Sequence, residues 1–210
     1  KIDDYMKDGG LLTREDLSNY EVIERTPLKT DFNGKTIITN PMPSPGGTLI
    51  AFALKIISKK FPGEKIDNRL LTLGMRLAQI ARSEIISTKN RTNSLSEILS
   101  PSYFKRYLDL FDYEISLKPN KEKPGSGSTT HMSIIDSQGN AASVTTTNGE
   151  GCGYIIPGTG IMMNNILGEE DLNPDGFHNW ETTKRMSTMM SPTIVIGDSG
   201  PELVLGSGGS

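Results

Sequence analysis

Residues 129–147 read TTHMSIIDSQGNAASVTTT. β-Branched residues fill both arms, TTHMSIID and NAASVTTT, and the polar SQG between them carries a glycine, so the stretch is expected to form a β-hairpin. A second pair of arms, TIVIG and ELVLG, flanks DSGP at 193–206 and predicts another hairpin. Between the two lie GEGCG, PGTG, the pair Asn164-Asn165 and GEEDLNPDGFHNW. That is more glycine and polar side chain than strand connection alone requires, which is how loops that carry function are built.

Upstream of this hairpin, residues 117–128 hold almost no apolar side chain. Their Pro, Gly, Ser and Lys content fits an exposed loop, a plain or engineered linker, or a processing region. Earlier still, the character is mixed helix and strand. Gly9 and Gly10 end an opening helix, and Thr13 with Asp16 three residues on gives an N-cap for TREDLSNY. YEVIERTPLKTDF and KTIITN read as strands around Asn33-Gly34, the strongest short-range hairpin signal in the chain. After the prolines of PMPSPGG, TLIAFALKIISKK reads as a buried helix. Ile66, Leu70, Leu73, Leu77 and Ile80 recur at three- and four-residue steps and mark an amphipathic helix to about Ser87. Ser100-Pro101, a cap followed by proline, opens SPSYFKRYLDLF as a further helix.

Composition narrows the function classes. With 22 basic against 25 acidic side chains in 210 residues, the formal charge is −3. A nucleic-acid surface normally carries a basic excess, so nucleic acid is not the expected partner. Hydrophobic content of 35%, with 22 Gly and 12 Pro, describes a globular chain with many turns. No apolar run is long enough for a membrane-spanning helix. The single Cys152 excludes an intrachain disulfide framework, and His131 and His178 stand far apart without ligand spacing, so neither a metal nor another cofactor is expected. Lys1 is not a start residue and the chain stops in a glycine turn after a strand, so a piece of a longer protein is expected. Localisation is left unassigned.

Familiar catalytic motifs do not fit. GSGSTTH leads into a strand and lacks the strand-to-helix setting of a serine-hydrolase elbow, and GSGSTT has no lysine where a phosphate-binding loop needs one. Glu169, Glu170 and Asp171 read as solvated loop acids, and His131 as a packed, hydrogen-bonded strand residue. Thr129 is different in kind. At a chain start, a threonine has its own α-amine, with a reference pKa near ~8, able to act as base for its hydroxyl. The plain alternative is an ordinary threonine at the start of a strand.

Four segments, TTHMSIIDSQGNAASVTTTN, PGTGIMMNNILGEED, KRMSTMMSPTIVI and LVLGSGGS, in that order and spacing, resemble the small subunit of the gamma-glutamyltransferases, members of the N-terminal nucleophile hydrolases. GGLLTREDLSNYEVIERTPLKTDFNGKTIITNPMPSPGGTLI resembles the matching part of their large subunit. The likeness is close over residues 8–60 and 129–210 and loose over the helices between.

The resemblance implies an α+β fold, a four-layer αββα sandwich of which this chain would be a fragment. Residues 1–128 would be the C-terminal part of the large subunit and 129–210 the N-terminal part of the small subunit. The precursor would cut itself between Ser128 and Thr129, and Thr129 would become the nucleophile that cleaves γ-glutamyl amides such as glutathione. Thr147 would support it. Gly209 and Ser210 would offer backbone N–H groups as the oxyanion hole. Glu169 would meet the α-ammonium of the donor, with Asn148, Ser187 and Thr188 as further binding residues. The partners implied are γ-glutamyl compounds and the two subunits of one precursor, paired as a heterodimer.

Several positions depart from the family pattern. Ile166 stands where a polar residue is usual, Thr188-Met189 stand where Ser-Ser is usual, and Asn148 follows Thr147 directly in a shorter loop. The arginine that pairs with the substrate carboxylate belongs to an earlier part of the large subunit. These departures leave two further readings: an acylase of the same family for a different amide, and an uncut, non-catalytic homologue that binds a partner.

Overall fold

The computed structural model describes residues 1–7, 9–87, 95–114, 129–169, 172, 176 and 179–208. The expectations for the 117–128 segment, Ser128, Glu170, Asp171, His178, Gly209 and Ser210 lie outside those residues. Two short helices, α1 (Ile2–Met6) and α2 (Arg14–Ser18), open the chain. The α2 start is the cap expected from sequence: Thr13 Oγ1 accepts from the Asp16 amide at 3.1 Å while the Asp16 carboxylate accepts from the Thr13 amide at 2.8 Å.

β1 (Leu28–Phe32) and β2 (Lys35–Thr39) follow, joined through Asn33 and Gly34. Their φ of 50° and 77° is the left-handed geometry of a two-residue hairpin turn. The strand expected from Tyr20 starts only at Leu28. Residues 20–26 are exposed and lie outside any strand, and Pro27 brings no N–H to a ladder.

Helix α3 (Pro45–Lys60) begins three residues before the expected Thr48. Its first turn includes Gly46 and Gly47, where a Cβ would lie 2.1 Å from a neighbour: the Ser191 hydroxyl for Gly46, the Asn40 carbonyl for Gly47. Glycine here lets the first turn of α3 sit directly on other backbone. Helices α4 (Asn68–Ser87) and α5 (Pro101–Glu114) complete a helical layer, with a 3₁₀ turn at Leu95–Leu99 that the periodicity did not suggest.

The core of this layer follows helical spacing. Leu49, Phe52, Ala53 and Ile56 of α3 meet Leu73, Leu77, Ala78 and Ala81 of α4 and Phe104, Tyr107 and Phe111 of α5. The Phe52 ring meets Tyr107 edge-on with centroids 5.2 Å apart. Each fully buried side chain of this size contributes about 1.5–3 kcal/mol of transfer free energy. Burial, then the hydrogen bond to Glu84, pushes the Tyr107 phenol pKa up, so it stays a donor.

Downstream, β3 (Thr129–Ile135) and β4 (Ala141–Thr147) form the expected antiparallel hairpin. The Asp136 carboxylate shapes its turn by accepting from the amides of Gln138 and Asn140 at 2.8 and 2.9 Å and from the Asn140 side chain at 2.8 Å. The Asn140 side chain first, then these amides, hold the Asp136 carboxyl below its ordinary pKa. Its contribution to the turn is therefore present above the unfolded carboxyl pKa and is lost as pH falls through the folded one.

β5 (Thr193–Gly197) and β6 (Gly200–Leu205) form the second expected hairpin. It does not pair with the first. β5 runs antiparallel to β2, with Thr36, Ile37 and Ile38 opposite Ile196, Val195 and Ile194, giving one four-stranded sheet in the order β1-β2-β5-β6. α3 packs on the β1 side of that sheet. Mixed helix and antiparallel sheet is thus the class of the described fold.

The β3–β4 hairpin docks on β5 and β6 through alternate, half-buried residues. The Ser143 hydroxyl accepts from the Thr193 amide at 3.1 Å and donates to the Leu205 carbonyl at 3.0 Å, so one side chain bridges two paired strand residues of the larger sheet. Ser143→Ala is expected to lower unfolding stability by about 1–3 kcal/mol, because both backbone groups lose that partner. Urea denaturation of the variant against the parent measures it.

Candidate functional site

Antiparallel register places Thr129, the first residue of β3, opposite Thr147, the last of β4. Directly opposed side chains in such a pair share one face of the hairpin. Here the Thr129 hydroxyl donates to Thr147 Oγ1 at 3.0 Å, and Thr147 Oγ1 also accepts from the Gly149 amide at 3.0 Å. Both threonines are half-buried. The arrangement fixes the Thr129 rotamer and leaves its hydroxyl on the inner side of the hairpin. In the continuous chain its nitrogen is a peptide nitrogen.

After β6 the chain crosses back over the start of β3. A Cβ on Gly208 would lie 2.2 Å from the Thr129 carbonyl oxygen, and one on Gly206 would lie 2.3 Å from the His131 ring. Only glycine allows backbone to come so near at both points. The segment therefore reaches the residue just before Gly209 in direct contact with Thr129.

The loop after β4 closes around the same threonines. Asn165 Oδ1 accepts from the amides of Glu150 and Gly151 at 2.8 and 3.1 Å, and the Asn165 amide donates to the Asn148 carbonyl at 3.1 Å. A Cβ on Gly149 would lie 2.4 Å from both Asn165 Oδ1 and Glu169 Oε1, and 3.3 Å from Ile166. The Glu169 carboxylate thus stands against the residue whose amide binds Thr147. Thr129, Thr147, Asn148 and Glu169, chosen from sequence, come together here. Asn148 contributes a backbone carbonyl to the loop.

Ser187 and Thr188 sit in a separate half-buried segment, 186–192, seated on the start of α3. The Ser44 hydroxyl lies 2.7 Å from the Thr188 carbonyl and 2.8 Å from that of Met190. Thr188 Oγ1 accepts from the Met190 amide at 3.2 Å. Met189 packs against the helical core. Met189, where the resemblance implies a second serine, is thus an apolar side chain turned into packing.

Asn165 and Gly206 are the site residues the sequence reading passed over. The paired asparagines and the GSGG run were the available signals. Their partners Glu150 and His131, 15 and 75 residues away, are visible only in three dimensions. Among the described residues no cluster of three or more His, Cys, Asp and Glu side chains could hold a metal ion, and no helix is long and apolar enough to cross a membrane.

A family model for gamma-glutamyltranspeptidase matches residues 2–210. The chain belongs to the gamma-glutamyltranspeptidase family, within the N-terminal nucleophile hydrolases. It is 32% identical to the glutathione hydrolase proenzyme of Bacillus subtilis (strain 168), over 96% of this chain and 39% of that one. It is likewise 32% identical to the glutathione hydrolase proenzyme of Escherichia coli (strain K12), over 97% of this chain and 39% of the relative. In fold it is similar to the crystal structure of a cephalosporin acylase from Bacillus halodurans, with a TM-score of 0.68 at 23% identity, over 97% of this chain and 38% of that one. The chain spans about two fifths of the length of these curated relatives.

Thr147→Val keeps the volume but removes the oxygen that serves both Thr129 and Gly149. It is expected to cost about 1–2 kcal/mol of stability, while Thr147→Ser retains most of it. Paired urea titrations of the two variants separate loss of the hydroxyl from loss of the methyl.

Proposed function

We propose that the protein is a self-processing threonine amidohydrolase of the gamma-glutamyltransferase type. The observation that carries this reading is the Thr129–Thr147 hydroxyl pair, with the Gly206–Gly208 backbone laid against the same threonine. In the first reaction the Thr129 hydroxyl attacks the Ser128 carbonyl carbon. The peptide C–N bond breaks as an ester C–O bond forms, and the hydroxyl proton passes to the departing nitrogen. Water hydrolyses the ester and leaves Ser128 as a carboxylate and Thr129 with a free α-amine.

That amine, with a reference pKa near ~8, then takes the proton of its own hydroxyl when Thr129 attacks a γ-glutamyl amide. The amine product departs with a proton, and the acyl ester passes to water or to the amino group of an amino acid or peptide. Thr147 holds the nucleophile. Gly209 and Ser210 follow Gly208 directly and would turn their N–H groups to the developing oxyanion, where each such donor matters most as charge appears. Glu169, beside Gly149, would receive the donor's α-ammonium, with Asn148, Ser187 and Thr188 lining the remainder.

The two products would remain one heterodimer, because the β2–β5 ladder joins a strand from each side of the cut. For the whole protein we infer the four-layer αββα sandwich, with 1–128 closing the large subunit and 129–210 opening the small one.

Thr129→Ala in the full-length protein is expected to give one uncut polypeptide with no turnover of γ-glutamyl-p-nitroanilide. Two bands on a denaturing gel from that variant would overturn the assignment.

Ile166 beside Glu169, and Met189 turned into the core, support a second reading: an acylase of the same family whose acyl group is less polar than glutamyl. A site that lacks a hydrogen-bonding group loses discrimination for the polar acyl chain. Ile166→Gln is expected to raise the ratio of γ-glutamyl to simple acyl anilide turnover by about tenfold. Comparison of kcat/KM for the two anilides in both proteins reads that ratio.

A further inference from the structure

We infer that His131 is a positioning residue, whose ring supports Gly206 and so fixes where the Gly206–Gly208 segment crosses Thr129; the inference rests on the proposed function. The ring is clamped from two sides. Nδ1 lies 2.8 Å from Thr145 Oγ1 on the partner strand, and Nε2 lies 3.0 Å from Ser133 Oγ on its own strand. Each hydroxyl can give or accept a proton, so the ring is held in place in either tautomer.

What the clamped ring touches is backbone. A Cβ on Gly206 would stand 2.3 Å from His131 Cε1 and Nδ1 and 2.9 Å from Cγ. Two residues further along, a Cβ on Gly208 would stand 2.2 Å from the Thr129 carbonyl oxygen. Residues 206 and 208 therefore run over 131 and 129 in matched steps, with the imidazole as one support and the nucleophile's own carbonyl as the other. The next residues, Gly209 and Ser210, are those assigned to the oxyanion in the proposed reaction.

A donor must lie 2.7–3.1 Å from the place where negative charge develops, and it acts on the transition state rather than on bound substrate. Loss of the ring should therefore appear in kcat and leave KM nearly unchanged. It should also open the space that a side chain at 206 lacks. Positions 131 and 206 are thus energetically coupled, and their substitutions should not add.

The test uses the full-length protein with Gly206→Ala, His131→Ala, His131→Asn and the double variant Gly206→Ala/His131→Ala. Gels read self-cleavage, and γ-glutamyl-p-nitroanilide reads kcat and KM. Gly206→Ala is expected to lower kcat about 100-fold and His131→Ala about tenfold, each with KM within about threefold. The double variant should return to about the level of His131→Ala, and His131→Asn, which restores a polar atom near Nδ1, should recover most of the parent rate. Losses that multiply in the double variant, an unchanged kcat in His131→Ala, or a loss carried by KM would overturn the inference while leaving the nucleophile assignment intact. If Gly206→Ala does not fold, folding restored in the double variant supports the coupling. If neither folds, the kcat and KM of the two His131 variants decide. A parent that is neither cut nor active overturns the proposed function, and this inference with it.

Discussion

A three-residue ladder between Thr36–Ile38 and Ile194–Ile196 holds together parts of the chain more than 150 residues apart, and the remaining architecture depends on it. Beside it, the buried hydroxyls of Thr39 and Thr193 lie 3.0 Å apart, and Thr193 also donates to the Ser191 carbonyl at 2.9 Å. Buried hydroxyls that lost such partners would each cost a desolvation penalty, so the pair specifies this register as well as stabilising it. With β5 fixed on β2, segment 186–192 is drawn onto the start of α3, β6 becomes an edge strand beside β5, and the glycines after it are delivered to the β3–β4 hairpin. Loop closure over such a separation carries a large entropic cost, which the apolar faces of the sheet and the helical core offset.

Close backbone approach is the second constraint. At Gly46, Gly149, Gly206 and Gly208 a single added methyl would overlap atoms of another segment. These contacts connect the helical layer to segment 186–192, the loop after β4 to Asn165 and Glu169, and the loop after β6 to β3. The site is assembled from backbone brought near Thr129, with few side chains of its own. Under the proposed function, such a design would suit chemistry in which amide N–H groups stabilise developing charge. It also explains how polarity at neighbouring positions can change without disturbing the threonine pair. Ile166 lies near Gly149 and Met189 packs against the helical core, while Thr129, Thr147 and the glycine segment keep their mutual geometry.

Local patterns in the chain determined much of the fold. The capping box at Thr13, the Asn33-Gly34 turn, the spacing of α4, and both downstream hairpins follow from periodicity and turn chemistry, which act over a few residues. Thr129 and Thr147 were legible as members of one hairpin, since SQG sets the register that puts them opposite each other. The ordered motifs also sufficed to recognise the gamma-glutamyltranspeptidase family, now shown over residues 2–210. Tertiary structure decided what those patterns could not express. It cut the first strand back to Leu28, where pairing begins after Pro27, and started α3 at Pro45, where Gly46 fits under segment 186–192 and Gly47 against Asn40. It sent the two downstream hairpins to different sheets, set Asn165 and Glu169 beside Gly149, and laid Gly206 on His131. Each of these outcomes is a contact between residues distant in sequence, and no propensity or period encodes the partner of such a contact; only the packing of the whole chain selects it.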